Sequence, residues 1–136
     1  MKTVLLIEDD SVVQLHGIEV LNSMGFGRNN IFTASDGLEA FHFLQHYSTT
    51  HGVLPDVILL DLVMPRADGF AFLETSKKLE GIKNTTIIIV SDSIDPADID
   101  HAAKFNVFLY TTKPLRAETL ANLLHLNNSQ EHASRL

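Results

Sequence analysis

The chain contains no cysteine, so it has neither a disulfide nor a thiolate site and no need of an oxidising compartment. It also lacks any long hydrophobic run. Its apolar stretches are strand-sized, far short of the roughly 20 residues that cross a bilayer. Met1-Lys2-Thr3 leads into a strand rather than a signal peptide, so membrane insertion is not expected and the expected location is cytoplasmic. Ten Lys and Arg stand against 17 Asp and Glu, a formal net charge of -7. Neutralising nucleic-acid phosphates needs basic clusters, so direct nucleic-acid binding is disfavoured. The seven histidines are scattered without zinc-ligand spacing and read as surface or structural residues. Glu8-Asp9-Asp10-Ser11, the turn after the first strand, has no phosphate-cradling glycines, which argues against a dinucleotide enzyme.

What is present is alternation. Residues 3–7, 31–34, 57–60, 86–90 and 107–112 read as strands. Ile87-Ile88-Ile89-Val90 leaves no polar face, as expected where helices cover both sides of a parallel sheet. Between them lie helical patterns. The first is capped by Asp10 or Ser11, carries Val12, Leu15, Ile18, Val20, Leu21 and Met24, and is stopped by Gly25 and Gly27. The second carries Leu38, Phe41 and Leu44, and the third spans Phe70 to about Leu79. The fourth covers residues 97–105 and the last 116–126. The segment His46–Pro55 is polar and aperiodic and reads as an exposed connection. Five strands alternating with five helices give one doubly wound α/β domain over residues 1–127, followed by a polar tail, 128–136.

Several strands end in chemically active residues. Val57-Ile58-Leu59-Leu60 ends in Asp61 before a Pro/Gly-rich loop, and Val4-Leu5-Leu6-Ile7 ends in Glu8-Asp9. In open α/β sheets the carboxyl edge is where ligands bind. Acids at a strand end can simply be a solvated helix start, but a second strand ending likewise favours a shared site. Crowded carboxylates resist ionising without a cation, and a hard divalent ion with oxygen ligands, Mg2+, suits them. Ser91 and Lys113 end two further strands. A hydroxyl and an ammonium there could bind oxygens of a small anion, and Lys113 could neutralise Asp61 in the empty site. No nucleophile-elbow pattern surrounds Ser91, so it is not read as a nucleophile. Together these are the parts for phosphoryl transfer to a carboxylate, with Asp61 attacking phosphorus. An aspartyl phosphate adds roughly -1.5 to -2 charge units, enough to bias a nearby two-state element such as the Tyr110 side chain.

The chain resembles the receiver domains of two-component response regulators. The resemblance is carried by Leu5-Leu6-Ile7-Glu8-Asp9-Asp10, by Pro55 to Pro65 around Asp61 with Asp68-Gly69, by Ser91, and by Tyr110-Thr111-Thr112-Lys113-Pro114-Leu115. The intervals of 30 residues from Asp61 to Ser91 and 22 from Ser91 to Lys113 fit the family's spacing. The resemblance implies a flavodoxin-like five-stranded parallel sheet, order 2-1-3-4-5, flanked by five helices. It implies that Asp61 is the phosphoacceptor, that Asp9 binds Mg2+ directly and Glu8 through water, and that the Val63 carbonyl completes the ligands. Ser91 and Lys113 would contact the phosphoryl oxygens, Ser91 and Tyr110 would form the switch, and the Lys113–Pro114 bond would be cis. Such a domain is no conventional enzyme, but it catalyses its own aspartyl phosphorylation and dephosphorylation. Its donor would be a sensor histidine kinase or a histidine phosphotransfer protein. Its output would run through residues 97–126 to an unknown downstream protein or a phosphorylation-dependent homodimer.

Several departures from the family pattern stand out. Glu8 replaces the commoner aspartate, Asp92 follows Ser91 where a small residue is usual, and Asn106-Val107 stands where glycine–alanine is usual. A carboxylate at Asp92 would narrow the site or repel an incoming anion. Because the site residues are all present, the main expectation is nonetheless a stand-alone phosphorylation-dependent switch. The alternative is an interaction module that works unphosphorylated through the same face. A phosphatase-type hydrolase fits poorly, because the second acid it needs two residues after the first is here Val63.

Overall fold

The computed structural model describes residues 2–64, 68–92 and 94–125. Pro65 and the expected tail, 128–136, lie outside them, as does Leu126. Five strands, β1 (Val4–Ile7), β2 (Ile31–Ala34), β3 (Val57–Leu60), β4 (Thr86–Ser91) and β5 (Leu109–Thr112), form one parallel sheet in the order 2-1-3-4-5. The helices are α1 (Ser11–Ser23), α2 (Gly37–His51), α3 (Gly69–Ser76), α4 (Pro96–Ala103) and α5, helical over residues 117–125. Among the described residues no helix is long and apolar enough to cross a membrane.

The continuous apolar strands are buried on both faces because successive side chains point to opposite sides. Leu5, Ile7, Ile58, Leu60 and Ile89 pack on one side with Ala40 and Leu44 of α2, Phe72 and Leu73 of α3 and Ala102 of α4. Val4, Leu6, Val57, Leu59, Ile88 and Val90 pack on the other with Leu21 of α1 and Leu120 of α5. Helix starts follow the expected chemistry. Asp10, Asp36, Asp68 and Asp95 each cap a helix through side-chain bonds to backbone N–H groups, and Pro96 occupies the first turn of α4.

Two sequence expectations fail. His46–Pro55 is not an exposed connection: α2 continues to His51 and ends at Gly52, which takes the left-handed conformation with φ 75°. Tyr47 lies one turn beyond Leu44 on the buried face of Gly37, Ala40 and Leu44, and meets the rings of Phe32 and Phe43. Packing of that one aromatic supplies what the polar neighbours concealed. The inward faces of α1 and α2 also differ from expectation. Val12, Leu15 and Leu38 are exposed, while glycine and alanine sit against the sheet. An ideal Cβ on Gly17 would lie 2.8 Å from Leu6 Cδ2, so α1 packs closely on the sheet there and a side chain at this position would have to displace the end of Leu6.

Candidate functional site

The parallel register brings the strand ends to one level. Ile7 pairs with Leu60, and beyond that pair Asp61 N–H donates to the Ile7 carbonyl at 3.1 Å and Glu8 N–H to the Ala34 carbonyl at 3.0 Å. Lys113 N–H donates to the Ser91 carbonyl at 2.7 Å. Backbone pairing thus delivers Glu8, Asp61, Ser91 and Lys113 to the carboxyl edge, with Lys113–Pro114 cis. Carboxylate oxygens of Glu8, Asp9 and Asp61 all lie within 4.8 Å of one another, a candidate metal-binding cluster. Glu8 and Asp61 are buried, whereas Asp9 is exposed.

The ammonium of Lys113 bridges two of these acids, 2.8 Å from Glu8 Oε1 and 3.3 Å from Asp61 Oδ2. Glu8 Oε2 accepts from Asp10 N–H at 3.1 Å, and Asp61 Oδ1 accepts from Val63 N–H at 3.1 Å. Burial pushes the Glu8 carboxyl above the usual carboxylate range, and repulsion from Asp61 adds to it. The Lys113 ammonium and the Asp10 N–H act against that shift without cancelling it. For Lys113 burial opposes the charge, yet the hydrogen bond to Glu8 and the fields of Asp61 and Glu8 prevail and raise its pKa. Among the described residues, one ammonium against three carboxylates leaves the edge negative and suited to a further cation.

Ser91 is buried at the end of β4, while Asp92 beside it is exposed. Tyr110 of β5 pairs in register with Ile89 and is 37% exposed. Its ring borders a small apolar cleft together with Ser91, Leu62 and Ile99. Among the described residues no histidine joins the carboxylates. His16 Nε2 instead lies 3.1 Å from the Leu115 carbonyl, tying α1 to the chain beyond Pro114.

Two supporting contacts were not foreseen from sequence. Gln14 reaches back from α1: its Nε2 donates to the Glu8 carbonyl at 3.2 Å, a contact six residues apart with no motif to mark it. Gly69 makes the other. A Cβ there would stand 2.7 Å from Leu62 Cα and 2.9 Å from the Asp61 carbonyl oxygen, so α3 starts against the backbone that carries Asp61. The Asp68-Gly69 pair was visible, but not the close approach it permits.

A family model for the response regulator receiver domain matches residues 4–125. The chain belongs to that family. Response regulator Rcp1 of Synechocystis sp. is 27% identical over 124 residues, covering 90% of this chain and 84% of that protein. The sensor histidine kinase CheAY of Helicobacter pylori is 28% identical over 121 residues, which is 89% of this chain but 14% of CheAY. Only one segment of that longer protein is therefore comparable. A two-component response regulator from Cytophaga hutchinsonii superposes with a TM-score of 0.81 at 28% identity, covering 92% of this chain and 95% of that one. In this receiver the Glu8, Asp9 and Asp61 carboxylates with Lys113 match the family's phosphorylation-site architecture. That set supports the domain's own aspartyl phosphorylation and dephosphorylation, and places it in two-component signalling.

Asn106, one of the departures, has φ 62°. Asparagine is among the few non-glycine residues that tolerate this conformation, so the substitution keeps the turn into β5.

Proposed function

We propose that residues 1–127 form a phosphorylation-dependent switch that accepts a phosphoryl group on Asp61 from a phosphohistidine of a sensor kinase or phosphotransfer protein. The observation that carries this reading is the Lys113 ammonium shared between Glu8 and Asp61 inside a three-carboxylate cluster. An oxygen of Asp61 forms the new P–O bond as the P–N bond to the donor imidazole breaks, and the imidazole leaves with the electron pair and takes up a proton. Lys113, already at Asp61, follows charge onto the phosphoryl oxygens, and the Ser91 hydroxyl supplies a further donor.

The cation that fits is Mg2+, which Asp9, Asp61 and the Val63 carbonyl would hold, with Glu8 acting through water. All of these are hard oxygen ligands, as Mg2+ prefers. When bound, such an ion would supply screening between the attacking carboxylate and the phosphate. A solved structure of a response regulator Rcp1, superposing with a TM-score of 0.72 at 27% identity over 90% of this chain and 89% of that one, is described as Mn2+-bound. A hard divalent ion in a related protein supports the same class here. Ser91 turning toward the phosphoryl group would free the cleft beside it for Tyr110, altering the α4–β5–α5 face. That face would then engage a downstream protein or a second copy of the chain.

The test is intact mass after incubation with Mg2+ and acetyl phosphate, with Asp61→Asn alongside. One added phosphoryl group in the parent and none in the variant is expected. Equal gain in both would refute Asp61 as the acceptor. A second reading, an interaction module that works unphosphorylated, is favoured by Asp92 beside Ser91. Mg2+ binding without phosphoryl uptake from any donor would select it.

A further inference from the structure

At the opposite end of the sheet from the carboxylates, a cleft of about 400 Å3 opens between the C-terminal ends of α3 and α4 and the start of β4. This volume lies within the roughly 300–1,000 Å3 of small-molecule sites. Its floor is apolar. Leu73 and Val107 are buried there, and Ile87 and Phe105 are half-buried, each leaving hydrocarbon open to the cleft. Its rim is cationic: Lys77, Lys83 and Lys104 all line it. These are three of only ten Lys and Arg in a chain of net charge -7, and none of the carboxylates among the described residues lines the cleft.

Two of the lysines follow helix ends, Lys77 after α3 and Lys104 after α4, where a cation complements the helix dipole. Lys77 also pairs with Glu74 at 2.6 Å, an exposed contact that consumes part of its charge. Helix-end chemistry explains neither Lys83, which sits in the short 3-10 turn Ile82–Asn84, nor why the floor between the helices stays open. An apolar floor beneath a one-sign rim has a definite complement.

We infer that this cleft binds a small amphipathic anion, a flat apolar body carrying a carboxylate, sulfonate or phosphate group. The body covers Ile87 and Phe105, and the anionic group meets Lys83 and Lys104. This inference is independent of the phosphorylation reading, since no residue of the cleft belongs to the carboxyl-edge site.

The test uses 1-anilinonaphthalene-8-sulfonate as the probe and N-phenyl-1-naphthylamine, the same body without the sulfonate, as control. Amide chemical shifts of the full chain are followed by NMR. The expected result is saturable binding with the largest shifts at Ser76, Thr85, Asn106 and Val107. The neutral control should bind more weakly. The double variant Lys83→Gln, Lys104→Gln, changing two exposed residues, should lose about fivefold to tenfold in affinity for the sulfonate and little for the control. The sulfonate affinity should also fall with added salt. Shifts centred elsewhere, equal affinity for the two compounds, or an unchanged double variant would each overturn the inference.

Discussion

Replacing Lys113 with methionine separates what the ammonium does for stability from what it does for the metal. The ammonium is 15% exposed and lies 2.8 and 3.3 Å from the Glu8 and Asp61 oxygens, on side chains only 4% and 5% exposed. At an effective dielectric near 20 each contact has about 5–6 kcal/mol of gross Coulomb attraction, most of it offset by desolvation. Removing one partner from a buried pair usually costs about 3–5 kcal/mol, because the other charge stays behind. Here the loss should sit near or below the bottom of that range, about 2–3 kcal/mol. Glu8 has a carboxyl already raised above 4.5 by burial and by Asp61, so without its partner it can take a proton rather than remain a buried anion. In a domain of this size that loss lowers Tm by about 10 °C.

Two further signatures distinguish this account from general disruption. Mg2+ competes with Lys113 for the same carboxylates in the parent, so it should stabilise Lys113→Met more than the parent. A metal at a hundredfold its Kd returns about 2.7 kcal/mol, nearly the whole loss. The second signature is the pH dependence. Lys113 has a folded pKa above its ordinary 10.5, so its contribution is complete below 10.5 and lost as pH rises through the folded value. The gap between parent and variant should therefore close at alkaline pH. Urea unfolding of both proteins, with and without Mg2+ and from neutral to alkaline pH, measures all three quantities. A variant as stable as the parent without metal, or an equal gain from Mg2+ in both, would refute the reasoning.

Other outcomes follow from the same geometry. Mg2+ affinity, read by calorimetry, should fall as pH drops through the raised folded pKa of Glu8, because the protonated carboxyl no longer attracts the ion. The metal-free protein should show the opposite trend from this group, losing stability as pH rises from 4.5 through that folded value, since the folded state holds a proton the unfolded chain releases. Gly69→Ala should cost about 1–3 kcal/mol and slow phosphorylation, because its Cβ meets the backbone of Asp61 and Leu62. Gly17→Ala should change stability by less than about 1 kcal/mol, since the Leu6 side chain can yield and alanine favours the helix. Asp92→Ala should speed phosphorylation by acetyl phosphate about fivefold, the effect of removing roughly 1 kcal/mol of solvent-screened repulsion. An unchanged rate would remove Asp92 from the account of donor access.

How much of this was legible beforehand differed between strands and helices. The central strands were readable because both faces are largely buried, so Val57-Ile58-Leu59-Leu60 and Ile87-Ile88-Ile89-Val90 carry no polar position to obscure them. The site was readable because each strand stops where its chemistry begins. The helices were harder, since two of them meet the sheet through small residues. Gly17 in α1 and Gly37 and Ala40 in α2 are buried, while Val12 and Leu38 face outward. A hydrophobic stripe cannot reveal a contact made by the absence of a side chain. The last turns of α2 were hidden for a related reason: His46, Thr49 and Thr50 are exposed and polar, and only Tyr47 reports the buried face.

Glu8 shows what the sequence could not convey about the site itself. In the sequence it is only a departure from the commoner aspartate, and its extra methylene has no evident consequence there. In the folded chain Lys113 lies closer to Glu8 than to the proposed phosphoacceptor, Asp61. The resting ammonium is thus held mainly by a residue that is not phosphorylated. It stays near Asp61 without being wholly committed to it, so its transfer toward a phosphoryl group requires only a shift across the shared site. Glu8→Asp tests this, since the shorter side chain should release Lys113 toward Asp61 and leave it more tightly paired there. Mg2+ binding and phosphoryl uptake should both slow if that pairing is the barrier, and unchanged rates would show that Glu8 does not set where the lysine rests.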